Sequence, residues 1–247
     1  MRFSLASFST RAAESSRHLM LIAATCLICL VIGCNSGDDS AADTDASADS
    51  DQPAATTPTD QVYKYTLEEI NPIGDYGPPY DDRRIELALP KGWHRGTKKP
   101  DMVVWYHKFK NNPQLLPQIR ITAEDAPEDA PQNATAEDVK EYAQWVDKWV
   151  EGQIGDETLI EPVVPLVLGE NAFARYVRAG TYKSRPAHRQ TLVTTLDGRI
   201  YIMETIVYEG DLEKDRNNVL DGYAVAGSLR KPSEDSVSGF PAPGGDE

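Results

Sequence analysis

After residue 34 the chain has no cysteine, although Cys26, Cys29 and Cys34 crowd into nine residues before that point. The absence excludes an intrachain disulfide framework and a thiolate metal site from everything downstream. Histidine is scarce as well. Only His94, His107 and His188 follow residue 34, and none lies in an H-x-H, H-x-x-H or H-E-x-x-H spacing. A metal centre is therefore not expected. No P-loop, G-x-G-x-x-G or G-x-S-x-G occurs, so no cofactor and no serine-hydrolase elbow is expected. The paired acids Glu124-Asp125 and Glu128-Asp129 sit in a Pro/Ala-rich stretch and read as solvated charge. Positive charge is the minority: 25 Lys and Arg stand against 39 Asp and Glu, a formal charge of −14. Such a surface repels phosphate backbones and argues against nucleic-acid binding.

Long apolar runs are also missing. The longest apolar run, Leu19 to Ile32, is without a charge and too short for a membrane span, which needs about 20 apolar residues. It has the length of a signal-peptide core, and Arg2, Arg11 and Arg17 before it supply the positive flank. Cys26 and Cys29 have Cys-x-x-Cys spacing. They lie inside this apolar run rather than at the head of a folded helix, which argues against redox work.

The run ends in Val31-Ile32-Gly33-Cys34, which resembles a bacterial lipobox. The resemblance implies that Cys34 receives diacylglycerol, that cleavage precedes it, and that residues 1–33 are a lipoprotein signal peptide. The competing reading is an ordinary signal or an uncleaved anchor that happens to contain Cys. Residues 34–61 are rich in Ala, Asp, Ser and Thr and lack aromatic and large aliphatic side chains up to residue 60. They are expected to form a disordered acidic tether, because nothing in them offsets the entropy of ordering. The tail 233–247 is expected to be disordered on the same grounds. The implied location is the cell envelope, lipid-anchored on the periplasmic side. Asn35 after the cysteine leans toward the outer membrane.

Residues 62–232 read as one globular domain. Alternation predicts strands over Arg84–Leu89, Met102–Phe109 and Gln118–Ala123. Thr135 with Asp138 approximates a capping box for a helix whose stripe is Val139, Tyr142, Val146, Trp149 and Val150. Strands follow at Val163–Leu168, Phe173–Tyr182, Gln190–Leu196 and Arg199–Tyr208. Asp197-Gly198 between the last two signals a two-residue hairpin. In the last strand both faces are largely apolar, so both need cover, and Glu204 needs a partner if buried. A final helix is expected over Asp211–Leu229, whereas Tyr65–Asp82 reads as irregular. This order predicts an α+β fold: a three-layer α/β/α sandwich on a mostly antiparallel sheet of about six to seven strands.

The segments "LPKGW", "AEDVKEYAQWV", "FARYVRAGTY", "HRQTLVTTLDGRIYIMETIV" and "NNVLDGYAVAGSL", in that order, resemble the PsbP-like superfamily and its DcrB-type bacterial lipoproteins. The resemblance implies a binding or assembly role without catalysis, with a protein partner. It carries no shared catalytic residues.

Two basic clusters stand out. One is Lys91, His94, Arg95, Lys98 and Lys99; the other is Lys183, Arg185, His188 and Arg189. The plain reading is solvated charge that balances nearby acids. The sharper one is an anionic patch reader for phospholipid headgroups, an acidic partner or a small anionic ligand.

Overall fold

A computed structural model describes residues 61–70, 73–153, 158–210 and 216–233. These belong to one compact unit, Pro53–Glu247. The expected signal peptide, Cys34, nearly all of the tether, and the tail beyond Ser233 lie outside the described residues.

The ten strands are β1 (Tyr63–Tyr65), β2 (Ile73–Tyr76), β3 (Ala88–Pro90), β4 (His94–Arg95), β5 (Val104–His107), β6 (Gln118–Asp125), β7 (Leu159–Leu168), β8 (Asn171–Tyr182), β9 (Arg185–Leu196) and β10 (Arg199–Tyr208). The helices are α1 (Val139–Gln153) and α2 (Arg216–Gly227). Eight strands form one sheet in the order β1-β7-β8-β9-β10-β6-β5-β4, and β2 pairs with β3 in a second, small sheet. In the large sheet only β1 and β7 run parallel. The expected six to seven strands were too few. β1 and β4, three and two residues long, are too short to show an alternating pattern, and they add the two edges. Strand length differs too. The expected strand from Arg84 shrinks to β3, because Ile85 and Glu86 make only isolated bridges, to Tyr80 and Arg230.

The centre is built from three successive two-residue hairpins. Gly169-Glu170 joins β7 to β8, Lys183-Ser184 joins β8 to β9, and Asp197-Gly198 joins β9 to β10. Asp197 (φ 51°) and Gly198 (φ 72°) are both left-handed, as a primed turn requires. Lys183 and Ser184 (φ 51° and 63°) make the same turn without glycine, which explains why the sequence reads there as a plain loop.

The two sheet faces separate by parity. Phe173, Leu192, Tyr201 and Met203 point to one side and pack with Tyr223, Ala224, Val225 and Ala226 of α2 and with Ile85, Leu87 and Trp93. Ala174, Val193 and Ile200, each one residue out of step with those, pack with Tyr142, Ala143, Val146 and Val150 of α1. One helix thus covers each face. The start of α1 differs in detail from the expectation. Thr135 Oγ1 accepts from the Asp138 N–H (3.2 Å), but the first helical bond runs from the Tyr142 N–H to the Asp138 carbonyl (2.9 Å). Asp138, not Thr135, therefore occupies the capping position.

α2 approaches β10 closely at Gly222. A Cβ there would stand 2.0 Å from Thr205 Oγ1, on a stiff β-branched side chain. Gly222→Ala gains about 1 kcal/mol of helix propensity but forces a separation that costs about 1–3 kcal/mol. Chemical denaturation is expected to show a net loss of about 1 kcal/mol. Thr205→Ala in the same chain should recover part of it.

Candidate functional site

α1 lies over β7 and β8. The same sheet face continues past it onto β9, β10 and β6, and there it carries charge. Glu204 (β10) stands opposite Arg120 (β6) and Thr191 (β9), and Arg178 (β8) stands opposite Arg189 (β9). Residues that share a cross-strand position share a face, and diagonal neighbours one pair away remain in reach of long side chains. The result is two guanidinium groups on one carboxylate, with Arg120 at the cross-strand position beside it. The Arg178 guanidinium bonds the Glu204 carboxylate directly, and Arg189 Nη1 lies 3.6 Å from its other oxygen. Glu204 thus has the partner its position in the strand demands. The Arg178 and Arg189 side chains are 19% exposed and that of Glu204 14%, so their field is only partly screened by water.

Arg120 belongs to a second network. Its Nε and Nη2 donate to Gln118 Oε1 (3.1 and 2.9 Å), and its guanidinium stacks 5.4 Å above the Tyr182 ring. Gln118 Nε2 donates to the Pro113 carbonyl (2.8 Å) and Tyr182 Oη (3.0 Å), and Tyr182 Oη donates to the Gln114 carbonyl (2.9 Å). This holds the 108–117 connection across the end of the face. Arg120, Arg178 and Arg189 against Glu204 leave two net positive charges in a chain of −14. Beside them Arg189 Nε and Thr191 Oγ1 are buried without a hydrogen-bond partner. Buried polar atoms of this kind call for an acceptor or donor. The arrangement can bind a carboxylate or a phosphate.

The nine basic residues singled out in the sequence do not form one patch. His94 pairs with His107 across β4 and β5, their rings 5.7 Å apart. His94 shares a cross-strand row with Arg189, but four strand spacings, roughly 19 Å, separate them. His188 points to the face opposite Arg189. Lys183 and Arg185 lie over the rings of Tyr182 (5.8 Å) and Tyr208 (3.8 Å) at the hairpin end. Lys91 is exposed in the turn before Trp93. Arg95, Lys98 and Lys99 line a separate cleft at the β4–β5 edge. Sequence reading missed Arg120 and Arg178. The hairpin at Asp197-Gly198 puts Thr191 opposite Glu204 and so brings Arg189 alongside it; Arg178 follows only from the Lys183-Ser184 turn, which carries no glycine signal, and Arg120 only from the β6–β10 pairing.

Among the described residues no group of His, Cys, Asp and Glu is arranged to hold a metal ion, and no helix is long and apolar enough to cross a membrane.

His107, buried between His94 and Gln118, is held below its ordinary value near 6.5 by desolvation. A bond to the Phe109 backbone opposes the shift, and the charge of His94 adds to it. A lowered folded value means that the unfolded chain binds the proton more readily. Stability should therefore fall as pH drops below about 6.5, and the fall should lessen in His107→Gln when unfolding is followed from pH 7.5 to 5. Glu204→Gln leaves Arg178 and Arg189 without their shared carboxylate. It should lower stability by about 2 kcal/mol at low salt, and by less in 0.5 M NaCl, in urea titrations.

No family model matches the chain, and the comparison with curated proteins finds no match. Among solved structures the chain is similar to a protein of Bacteroides thetaiotaomicron (13% identity, TM-score 0.36), over 61% of this chain and 46% of that one. It is similar to the PsbP protein CyanoP of Synechocystis sp. PCC 6803 (17% identity, TM-score 0.36), over 61% of this chain and 88% of that one. It is also similar to LpqN of Mycobacterium tuberculosis, a protein involved in cell envelope biogenesis (10% identity, TM-score 0.41), over 60% of this chain and 83% of that one. The matched region spans under half the length of the Bacteroides protein.

Proposed function

We propose that this is a lipid-anchored bacterial envelope protein, acylated at Cys34, that presents a PsbP-like, DcrB-type domain on an acidic tether for a protein partner. The reading assigns it no catalytic step. What supports the anchor is the change at Gly33-Cys34 from an apolar run to a polar, acidic segment. The binding role rests on one observation: Arg120, Arg178 and Arg189 gather around a single Glu204 on the part of the sheet that continues past α1. Arginine forks match carboxylates in pairs, so an acidic segment of a partner protein fits this face. In the proposed location the domain lies on the periplasmic side, with the outer membrane favoured by Asn35.

Cys34→Ser tests the anchor. The wild-type chain should partition with membranes and enter the detergent phase, and the variant should stay aqueous. A wild-type chain recovered in the aqueous phase would end the lipoprotein reading. Crosslinking in intact envelopes tests the face. Arg120→Gln with Arg189→Gln, which keeps the Arg178–Glu204 pair, should remove the crosslinked partner and leave membrane partitioning unchanged. A crosslinked partner retained at wild-type yield would show that binding lies elsewhere on the domain.

A further inference from the structure

The cleft at the far edge of the sheet is a second cation site of a different kind. One wall is the turn Tyr80–Arg83; the other is Arg95–Lys99, between β4 and β5; the floor includes the buried Trp105 ring and Val104. Its volume is about 300 Å³.

The turn is an unusual piece of backbone. Asp81, Asp82 and Arg83 are left-handed in succession (φ 50°, 52° and 64°). Each such residue without glycine costs about 1–2 kcal/mol, so the turn needs an external hold. Asp81 supplies it. Its carboxylate lies 2.8 Å from Arg199 Nε and accepts from Arg199 Nη2 (3.1 Å) and Tyr201 Oη (2.8 Å). Those bonds neutralise Asp81, which leaves Asp82 as the other acid of the lining; Asp101 borders the adjoining hollow.

The cations of the opposite wall are held without being neutralised. Arg95 lies 4.8 Å above the Tyr80 ring and Lys99 Nζ lies 4.5 Å above the Trp105 ring. Lys98 joins them on the rim. None of the three forms an ion pair among the described residues. A ring face fixes a cation by about 0.5–1 kcal/mol at an exposed site yet leaves its charge available to a ligand. Gly96 is required here, because a Cβ would stand 1.9 Å from the Trp105 ring. Three cations on one wall suit the tetrahedral oxyanion of a phosphate group, and the proline and aromatic lining suits a small body attached to it.

From this we infer that the edge cleft binds a phosphomonoester or phosphodiester group, carried either on a small soluble molecule or on a lipid headgroup. The site uses none of Arg120, Arg178 and Arg189, so it stands or falls independently of the partner-binding face.

The reporter is the Trp105 indole N–H, which donates to the Thr97 carbonyl (2.8 Å) between Arg95 and Lys98. The full chain, ¹⁵N-labelled at tryptophan, is placed in dodecyl maltoside micelles, which carry no phosphate, and titrated at fixed ionic strength with inorganic phosphate and glycerol 3-phosphate. In a separate arm phosphatidylglycerol is added to the micelles. A saturable Trp105 shift with the soluble phosphates identifies a soluble ligand; a response confined to phosphatidylglycerol identifies a headgroup. Either response should weaken at least ten-fold in Lys98→Glu with Lys99→Glu, and at least three-fold in the milder Lys99→Gln. Arg120→Gln with Arg189→Gln should leave it unchanged. Silence in all arms overturns the inference. So does a response undiminished in Lys99→Gln while the other three indole signals stay native.

Discussion

The structure depends on one register. The Asp197-Gly198 turn fixes β9 against β10, and because side chains alternate, a slip of one residue would turn every side chain of β10 to the wrong face. In the observed pairing Ile200 meets α1, Tyr201 reaches Asp81, Met203 enters the core against α2, and Glu204 comes beside Arg189. The two helix contacts, the edge turn and the arginine face are thus consequences of the same hairpin. Arg199, the first residue after that turn, joins Asp125 of β6 and Asp81 of the edge turn, so the hairpin also fixes a segment more than 110 residues earlier in the chain.

Much of this frame is legible locally. Asp-Gly between two strand patterns reads directly as a primed turn, and Tyr142, Val146 and Val150 show the buried stripe of α1 at helical spacing. The arginine face is not legible locally. Arg120 comes from β6, which inserts between β10 and β5 rather than beside its sequence neighbours alone. Nothing near residue 120 states that residue 204 will lie opposite. The basic clusters show the converse. Arg95 and Lys98 are close in sequence to Lys91, and Arg189 to His188, but alternation and chain turns send them to different places. Nearness along the chain is a poor guide to a shared surface when the segment is a strand.

The two cation sites differ in how they manage charge. On the sheet face, Glu204 partly compensates its arginines, so the surplus is small and set among hydrogen bonds that also hold the 108–117 connection. In the edge cleft, rings hold the cations in place and one of the two lining acids, Asp81, is occupied by Arg199 and Tyr201. The first arrangement favours a flat, multipoint contact. The second favours a compact ligand that supplies the missing negative charge.

The edges of the large sheet have a further consequence. Its outermost strands, β1 and β4, are three and two residues long, whereas the strands at its centre run to twelve. The two edge strands are too short to extend, and the Leu159–Pro165 part of β7 that β1 leaves uncovered carries Pro162 and Pro165, which lack a backbone donor. If many copies are packed side by side at a membrane, as the proposed anchor would arrange, the sheets cannot readily join edge to edge. Crowding then raises the density of binding faces without converting them into a polymer.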